Sequence, residues 1–480
     1  VAAAELRAKV IGEGANLGMT QRGRIEFGKR GGRLNTDFID NSAGVNSSDQ
    51  EVNIKIALRP VVAAGKLPMS ERNSLLASMT DQVAAAVLRN NYLQSLALSL
   101  VSHRGLAEMP AQGRLMTELT ATVGLDRRIE FLPTDAELAE RRKAGQPLTR
   151  PELAVLLSWA KIDLYARLLA SDVPDDADLA SLLGRYFPQT LRVAYPQAIN
   201  QHRLRREIIA TGLANDMVNR GGATMSSSLA EETGRPLAQI ARAFVAATAV
   251  FELDQLWPRI DALDDKIDGG VQLELYSAVE ELVRRQTGWF ARRADFSKGL
   301  APAIAAYRGG ITDYARSLQS NLSATERARL AADEQRYATA GVPPSLAIAI
   351  ASLGPLGEST DVVETALASG SEVVAVSSVH AAVGAEFRFD ELIERSSRLP
   401  AADRYDRQAI NGLREVIDQA HKSLTRNALA GGGDVATWLA ARGDKGPAIR
   451  AALADILDGG QMSVARLTVA AQLSRDLAAG

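Results

Sequence analysis

The sequence predicts a mainly α protein that opens on a short α/β segment. Three observations predict it. Apolar residues in the first 64 positions fall into short runs separated by glycine-bearing turns, the apolar spacing then lengthens to that of helices, and helix start and stop signals recur for the rest of the chain. The expected organisation is therefore one region over residues 1–64 and an α-helical region over 65–480, with internal boundaries near 110–148 and 294–340.

Leu6 to Gly12 reads as a strand running into the turn Gly12-Glu13-Gly14-Ala15-Asn16-Leu17-Gly18. Thr20 caps a helix through about Lys29, which Gly31-Gly32 stops. Leu34 to Ile39 reads as a second strand, ending in Asp40-Asn41-Ser42-Ala43-Gly44. From about Ser48 a helix carries Val52, Ile56, Val61 and Val62 towards Gly65. Ser70 and Thr80 are read as N-caps. Thr149-Arg150-Pro151-Glu152 is a capping box with proline in the first turn, followed by Leu153, Leu156, Leu157, Ala160 and Leu164 on one face. That helix ends near Asp172-Val173-Pro174-Asp175-Asp176. Another is expected from about Gln197, presenting Ile208, Ile209, Leu213 and Met217 before Gly221-Gly222. Pro236, Pro302 and Pro343-Pro344 mark later helix starts, and Gly269-Gly270, Gly309-Gly310 and Gly431-Gly432-Gly433 punctuate the array. No fixed repeat period emerges.

With 480 residues, 46% hydrophobic and 23% charged, the chain can bury a sizeable core. Lys plus Arg (55) nearly balance Asp plus Glu (57), so no broad field of one sign attracts nucleic acid or an anionic membrane. The absence of cysteine excludes disulfides, thiolate catalysis and zinc held by sulfur. No apolar run reaches the roughly eighteen residues of a membrane span, and the start lacks a basic, then apolar leader. The expected location is the cytoplasm, with no nucleic-acid or membrane partner. Val1 is not methionine and a strand follows almost at once, so the expectation is a fragment of a longer chain.

The turn Gly12 to Gly18 follows a strand as a phosphate-binding loop does, but it is not G-x-G-x-x-G and reads equally as an ordinary turn. Asn16 and Asn41 stand at the ends of expected strands, where α/β sheets gather ligands. A carboxamide donates and accepts together, which suits the carboxamide of nicotinamide; the competing reading is a turn-forming asparagine. Ser47-Ser48-Asp49 can cap the next helix, and a helix start with a hydroxyl also binds a carboxylate. Asp37, Asp40 and Glu51 have no histidine nearby, and His103, His202, His380 and His421 lack metal-ligand spacing, so no metal site is expected. His202-Arg203-Leu204-Arg205-Arg206 reads as an anion-binding face or as a solvated helix face. The four tryptophans are read as packing residues.

Several strings resemble one family. Gly12 to Arg24 is similar to the segment with which glutamate dehydrogenases close their NAD-binding domain, and Asp40 to Asn53 is similar to the next family motif. Met19 and Asp49-Gln50 place the resemblance with the large bacterial NAD-dependent class instead of the small hexameric one. It continues through Leu148 to Leu157, Ser171 to Asp176, His202 to Thr211 and Leu213 to Arg220, and loosens beyond about Arg293. The resemblance implies that residues 1–64 are the end of a Rossmann-like NAD-binding domain and that the chain is the C-terminal portion of such an enzyme. It implies that Gly14, Ala15, Asn16 and Asn41 contact NAD and that Val45 and Ser48 contact glutamate, the serine hydroxyl donating to the side-chain carboxylate. The implied reaction is oxidative deamination of L-glutamate to 2-oxoglutarate and ammonia. The motifs bearing the family's catalytic lysine and aspartate have no match and are expected upstream, so this chain alone is expected to be inactive. The size and amphipathic faces of the helical region give the expectation of a homo-oligomer. The competing reading is a non-enzymatic helical regulatory or assembly scaffold.

Overall fold

A computed structural model describes residues 2–401 and 404–479, which form two compact units, Val1–Ala247 with Thr287–Ala301 and Thr248–Gln286 with Pro302–Gly480. The first unit opens with β1 (Val10–Ile11), α1 (Gln21–Lys29) and β2 (Arg33–Leu34). The two strands pair in parallel, Val10 with Arg33 and Ile11 with Leu34, so α1 is a crossover helix. Thr20 caps α1 by accepting the Gly23 N–H, as expected, and Gly31 at φ +85° turns the chain out of it.

The expected strand Leu34 to Ile39 shrinks to Arg33–Leu34, and α2 (Asp37–Asp40) replaces the rest. The reason is side-chain chemistry. Asp37 and Asp40 turn back to accept the N–H groups of Leu17 and Glu13, at 2.8 and 3.0 Å, so carboxylates satisfy the loop backbone where further ladder bonds would have done so. The next helix, α3 (Ser42–Ala63), starts six residues before the expected Ser48. Ser47 lies inside it with its hydroxyl bonded back to the Ala43 carbonyl, which is what a serine does within a helix when it is not needed as a cap.

Beyond α3 the unit is helical: α4 (Met69–Ser78), α5 (Thr80–Arg104), α6 (Met109–Val123), α7 (Asp135–Lys143), α8 (Arg150–Leu169), α9 (Ala180–Tyr186), α10 (Gln189–Ala194), α11 (Pro196–Asn200), α12 (Arg205–Gly221), α13 (Met225–Thr233) and α14 (Leu237–Val250). Pro68 and Met79, not Ser70 and Thr80, occupy the N-cap positions of α4 and α5; both hydroxyl residues sit within the first turn. The Thr149–Glu152 box forms at α8, where Glu152 accepts from the Thr149 N–H at 2.7 Å and also receives Arg141 at 2.7 and 3.0 Å. Residues 151–157 of α8 are buried all round, the mark of a central helix, and α12, whose Ile209, Leu213 and Met217 are buried, packs against it.

The helix expected from Gln197 is instead two helices. His202 causes the break: its Nδ1 accepts the Leu204 N–H at 3.1 Å, and its Nε2 donates to the Asn53 carbonyl at 3.1 Å. Arg206 closes the carbonyl end of α8 by donating to Leu169 O and Ser171 O at 2.8 and 3.0 Å, so this member of the basic run stabilises a helix end.

The second unit takes in the end of α14 and most of α16 (Gly269–Arg293) and α17 (Leu300–Asn321), which follow α15 (Leu253–Asp261). It continues as α18 (Ala324–Thr339), α19 (Pro344–Ala351), α20 (Leu353–Leu356), α21 (Ser359–Ser369), α22 (Val373–Phe387), α23 (Phe389–Ser397), α24 (Arg404–Ala430), α25 (Val435–Ala440), α26 (Lys445–Asp458) and α27 (Val464–Ala479). Ile417, Leu424 and Ala428 of α24 share a core with Leu467, Ala470 and Leu477 of α27, joined by Phe387 and Phe389. Gly309-Gly310 does not break a helix. It lies within α17, where a Cβ at Gly310 would come within 2.8 Å of Val363, so the glycine lets two helices approach. Among the described residues no single helix is long and apolar enough to cross a membrane; α19 with the stretch to Ser369 passes that test only as a pair bent by 46°.

Candidate functional site

The turn Gly12 to Gly18 is held by a buried ionic knot. Arg24, on α1, donates through Nε and Nη2 to the two Glu13 oxygens at 2.5 and 2.7 Å and through Nη2 to Asp37 at 2.9 Å. Glu13 in turn accepts the Met19 N–H at 3.1 Å, closing the turn on itself. The bond to Glu13 raises the Arg24 pKa further, so the cation is permanent. Burial pushes the Asp37 carboxyl up, but the Leu17 N–H and the Arg24 charge outweigh it and hold it below its usual range. The loop is thus fixed from inside, while its rim stays open: a methyl added at Gly12 or Gly14 would meet nothing within 4 Å.

A cleft of about 380 Å³ opens beside this loop. Asn16 and Asn41 meet at it, the Asn41 Nδ2 donating to Asn16 Oδ1 at 2.8 Å. Gly44 gives Asn41 its room, since a Cβ there would lie 3.1 Å from the Asn41 oxygen. Phe38, Ser42, Val45 and Asn46 continue this wall along α2 and α3, and Ser42 accepts from Asn91 at 3.1 Å. The opposite wall comes from the helices: Asn90 and Gln94 of α5, Asn215 and Asn219 of α12. Behind Gln94, Lys161 of α8 donates to its Oε1 at 3.3 Å. Burial pushes the Lys161 ammonium down to about 7, only partly opposed by Asp216.

Of the residues singled out in the sequence, Asn16, Asn41 and Val45 come together at the cleft. Gly14 and Ala15 are exposed on the adjoining loop and do not line it. Ser48 lies one turn beyond Val45 on α3, exposed and outside the lining. Asn41 does not stand at a strand end as expected: it is the residue between α2 and α3, while Asn16 lies in the turn after the short β1. Asn90, Gln94, Lys161, Asn215 and Asn219 were not anticipated. The available signal was two carboxamide pairs at a spacing of four, Asn90/Gln94 and Asn215/Asn219, on otherwise amphipathic helices. No group of three or more acidic or histidine side chains suited to a metal occurs among the described residues. A larger groove of about 1160 Å³ runs beside α1 and α7, but it holds none of these residues, and its buried charges answer one another, Arg141 with Glu152 above all.

The comparisons with known proteins fall on the same segments. The family model described as "Glutamate dehydrogenase, C-terminal" matches residues 145–476, more than half of the chain. The chain belongs to this glutamate dehydrogenase family. A second model, "Bacterial NAD-glutamate dehydrogenase, catalytic domain", matches residues 1–101, which include Asn16, Asn41, Asn90 and Gln94. Among similar proteins, the NAD-specific glutamate dehydrogenase of Pseudomonas aeruginosa is 41% identical over 425 residues, 88% of this chain and 26% of that protein. Those of Halomonas elongata and Mycobacterium tuberculosis are 39% and 34% identical, over 88% and 99% of this chain and 26% and 30% of their own length. The chain therefore spans less than a third of the relatives it matches.

Proposed function

We propose that this chain supplies one wall of the active site of an NAD-dependent glutamate dehydrogenase, which oxidises L-glutamate to 2-oxoglutarate and ammonia. Residues 1–64 are read as the end of its Rossmann-like NAD-binding domain and 65–480 as its helical C-terminal domain. The observation that carries this reading is the Asn16–Asn41 pair at the cleft. With one N–H and one oxygen engaged between them, Asn16 Nδ2 and Asn41 Oδ1 retain a donor and an acceptor. That is the complement of a primary carboxamide, so the residues fit nicotinamide.

NAD, when bound, supplies the acceptor for the hydride leaving the amino-acid α-carbon. Gly14 and Ala15 would offer open backbone to the cofactor and Asn16 and Asn41 their carboxamides, while Val45 and Ser48 would border the substrate. The lining of the cleft contains no lysine or histidine, and its one carboxylate, Asp37, is tied to Arg24. A general base and acid for the imine chemistry must then come from a further part of the enzyme, so the chain alone is expected to be inactive. The helical domain would brace the catalytic part and build contacts in a homo-oligomer. The test is an assay of the 480-residue chain and of the full-length protein with L-glutamate and NAD: turnover by the full-length protein only is expected, and its failure there overturns the reading.

A further inference from the structure

The helical wall of the cleft holds a contact that the Asn16–Asn41 pair does not use. Lys161, half-buried on α8, donates to Gln94 Oε1 at 3.3 Å and has no carboxylate within ion-pairing distance among the described residues. Asp216, whose charge acts on it from α12, is itself paired with Arg185 at 2.9 Å. A cation drawn out of water without a counter-ion opposes folding unless something else answers its charge.

The contact fixes the direction of the Gln94 carboxamide. An ammonium has donors and no acceptor, so the Gln94 oxygen faces Lys161 and the NH₂ group is left to offer elsewhere. Gln94 lines the cleft, and its Nε2 has no partner while remaining accessible. A side chain that could present either end is thereby set as a donor. The ammonium bonded to its oxygen polarises its N–H groups further, because hydrogen bonds in a chain strengthen one another. Such a donor suits an anionic oxygen. The one carboxylate of the lining, Asp37, has its charge answered by Arg24 at 2.9 Å. The lining holds no arginine or lysine, so the site suits a singly charged carboxylate better than a phosphate.

We propose that Gln94 Nε2 donates to a carboxylate of the bound substrate and that Lys161 is the positioning residue that holds it in that direction. This rests on the glutamate dehydrogenase reading above and gives the helical region a part in substrate affinity, for the amino acid and its keto acid alike. Pin and ligand reinforce each other, since a carboxylate at Nε2 favours the charged form of the lysine behind it.

The test uses the full-length protein, with kcat and KM for L-glutamate, 2-oxoglutarate and NAD, and Kd by calorimetry for glutarate, which carries carboxylates without the reacting groups. Gln94→Glu keeps the shape and gives Lys161 an ion pair, but it turns an oxygen towards the cleft. The KM of both substrates and the Kd of glutarate are expected to rise about ten-fold or more, while kcat and the NAD KM stay within about two-fold and the melting temperature holds or rises. Lys161→Met trades the cation for an apolar chain of similar length and lets Gln94 turn. There the same three constants are expected to rise about three-fold, and this variant decides if Gln94→Glu does not fold. A shift confined to NAD, an equal shift in every constant, or none overturns the proposal. So does a Lys161→Met protein that matches the wild type in all three carboxylate constants. A wild-type protein without glutamate turnover would instead sink the functional reading, and the calorimetric arm, which needs no turnover, would still decide this one.

Discussion

The two compact units gather their polar groups differently. In the first, a cleft collects carboxamides, and one of them, Asn219, keeps a buried oxygen without a partner. In the second, several buried polar side chains bond one another, although Thr248 Oγ1 and His380 Nε2 have no partner. Lys422 donates to Asp361 and Glu364 at 2.8 and 2.9 Å, Gln286 bridges Gly357 O and Thr360, and His421 bonds the His380 carbonyl at 2.8 Å while the two rings stack 3.6 Å apart. Polar groups that find partners inside the fold speak for architecture, and a cleft lined by carboxamides speaks for a ligand.

The comparison breaks first at Arg24. Replacing it in Arg24→Leu leaves Glu13 buried and unpaired beside the cleft, a loss of about 3–5 kcal/mol. Denaturant unfolding should show the first unit weakened and the second unchanged; equal loss in both would mean that the units do not differ as described. In the second unit, Gly310→Val forces apart α17 and α21 and should cost about 1–3 kcal/mol without altering any substrate constant, as overpacked cores do. A changed KM would give that unit a share in the site.

Asn41→Ala should sharpen the contrast from the other side. It removes the partner of Asn16, and in the full-length protein the KM for NAD or glutamate is expected to rise by about ten-fold with little change in melting temperature. Normal constants would discard the pair. Ser48→Ala is expected to act on glutamate alone and more weakly, since Ser48 stands one turn beyond the cleft; an NAD effect would contradict its assignment.

The smallest effect is one of pH. Burial lowers the pKa of both His380 and His421, that of His380 well below 6.5, and the Lys422 charge adds to it. In the unfolded chain these rings take up protons near 6.5, so below that pH the unfolded state binds more protons than the native state, and acid favours unfolding. The second unit should therefore lose stability as pH falls below about 6.5, measured by denaturant midpoints at stepped pH. Midpoints flat down to pH 5 would show the rings titrating as they do in water.

Local signals carried the sequence reading where one segment could satisfy itself. Thr20 and the Thr149–Glu152 box cap their helices in place, and the family strings identified the lineage before any coordinates. The reading failed where a distant partner decided. Leu34 to Ile39 is largely not a strand because Asp37 and Asp40 serve a loop some twenty residues away, and the helix from Gln197 breaks because His202 bonds Asn53, 149 positions earlier. Nothing in the local pattern distinguishes such residues from ordinary helix or strand positions.

By itself, then, the sequence determined the helical character of the chain, the caps at Thr20 and Thr149 and its family, because periodicity, capping and motif strings are properties of neighbours along the chain. The tertiary structure alone decided which polar residues share a cleft. Asn16, Asn41, Asn90, Gln94, Asn215 and Asn219 lie on four separate segments, and only the packing of α5, α8 and α12 brings the later four to the first two. Whether a carboxamide is satisfied or waiting depends on atoms far away in sequence, and that is settled by folding.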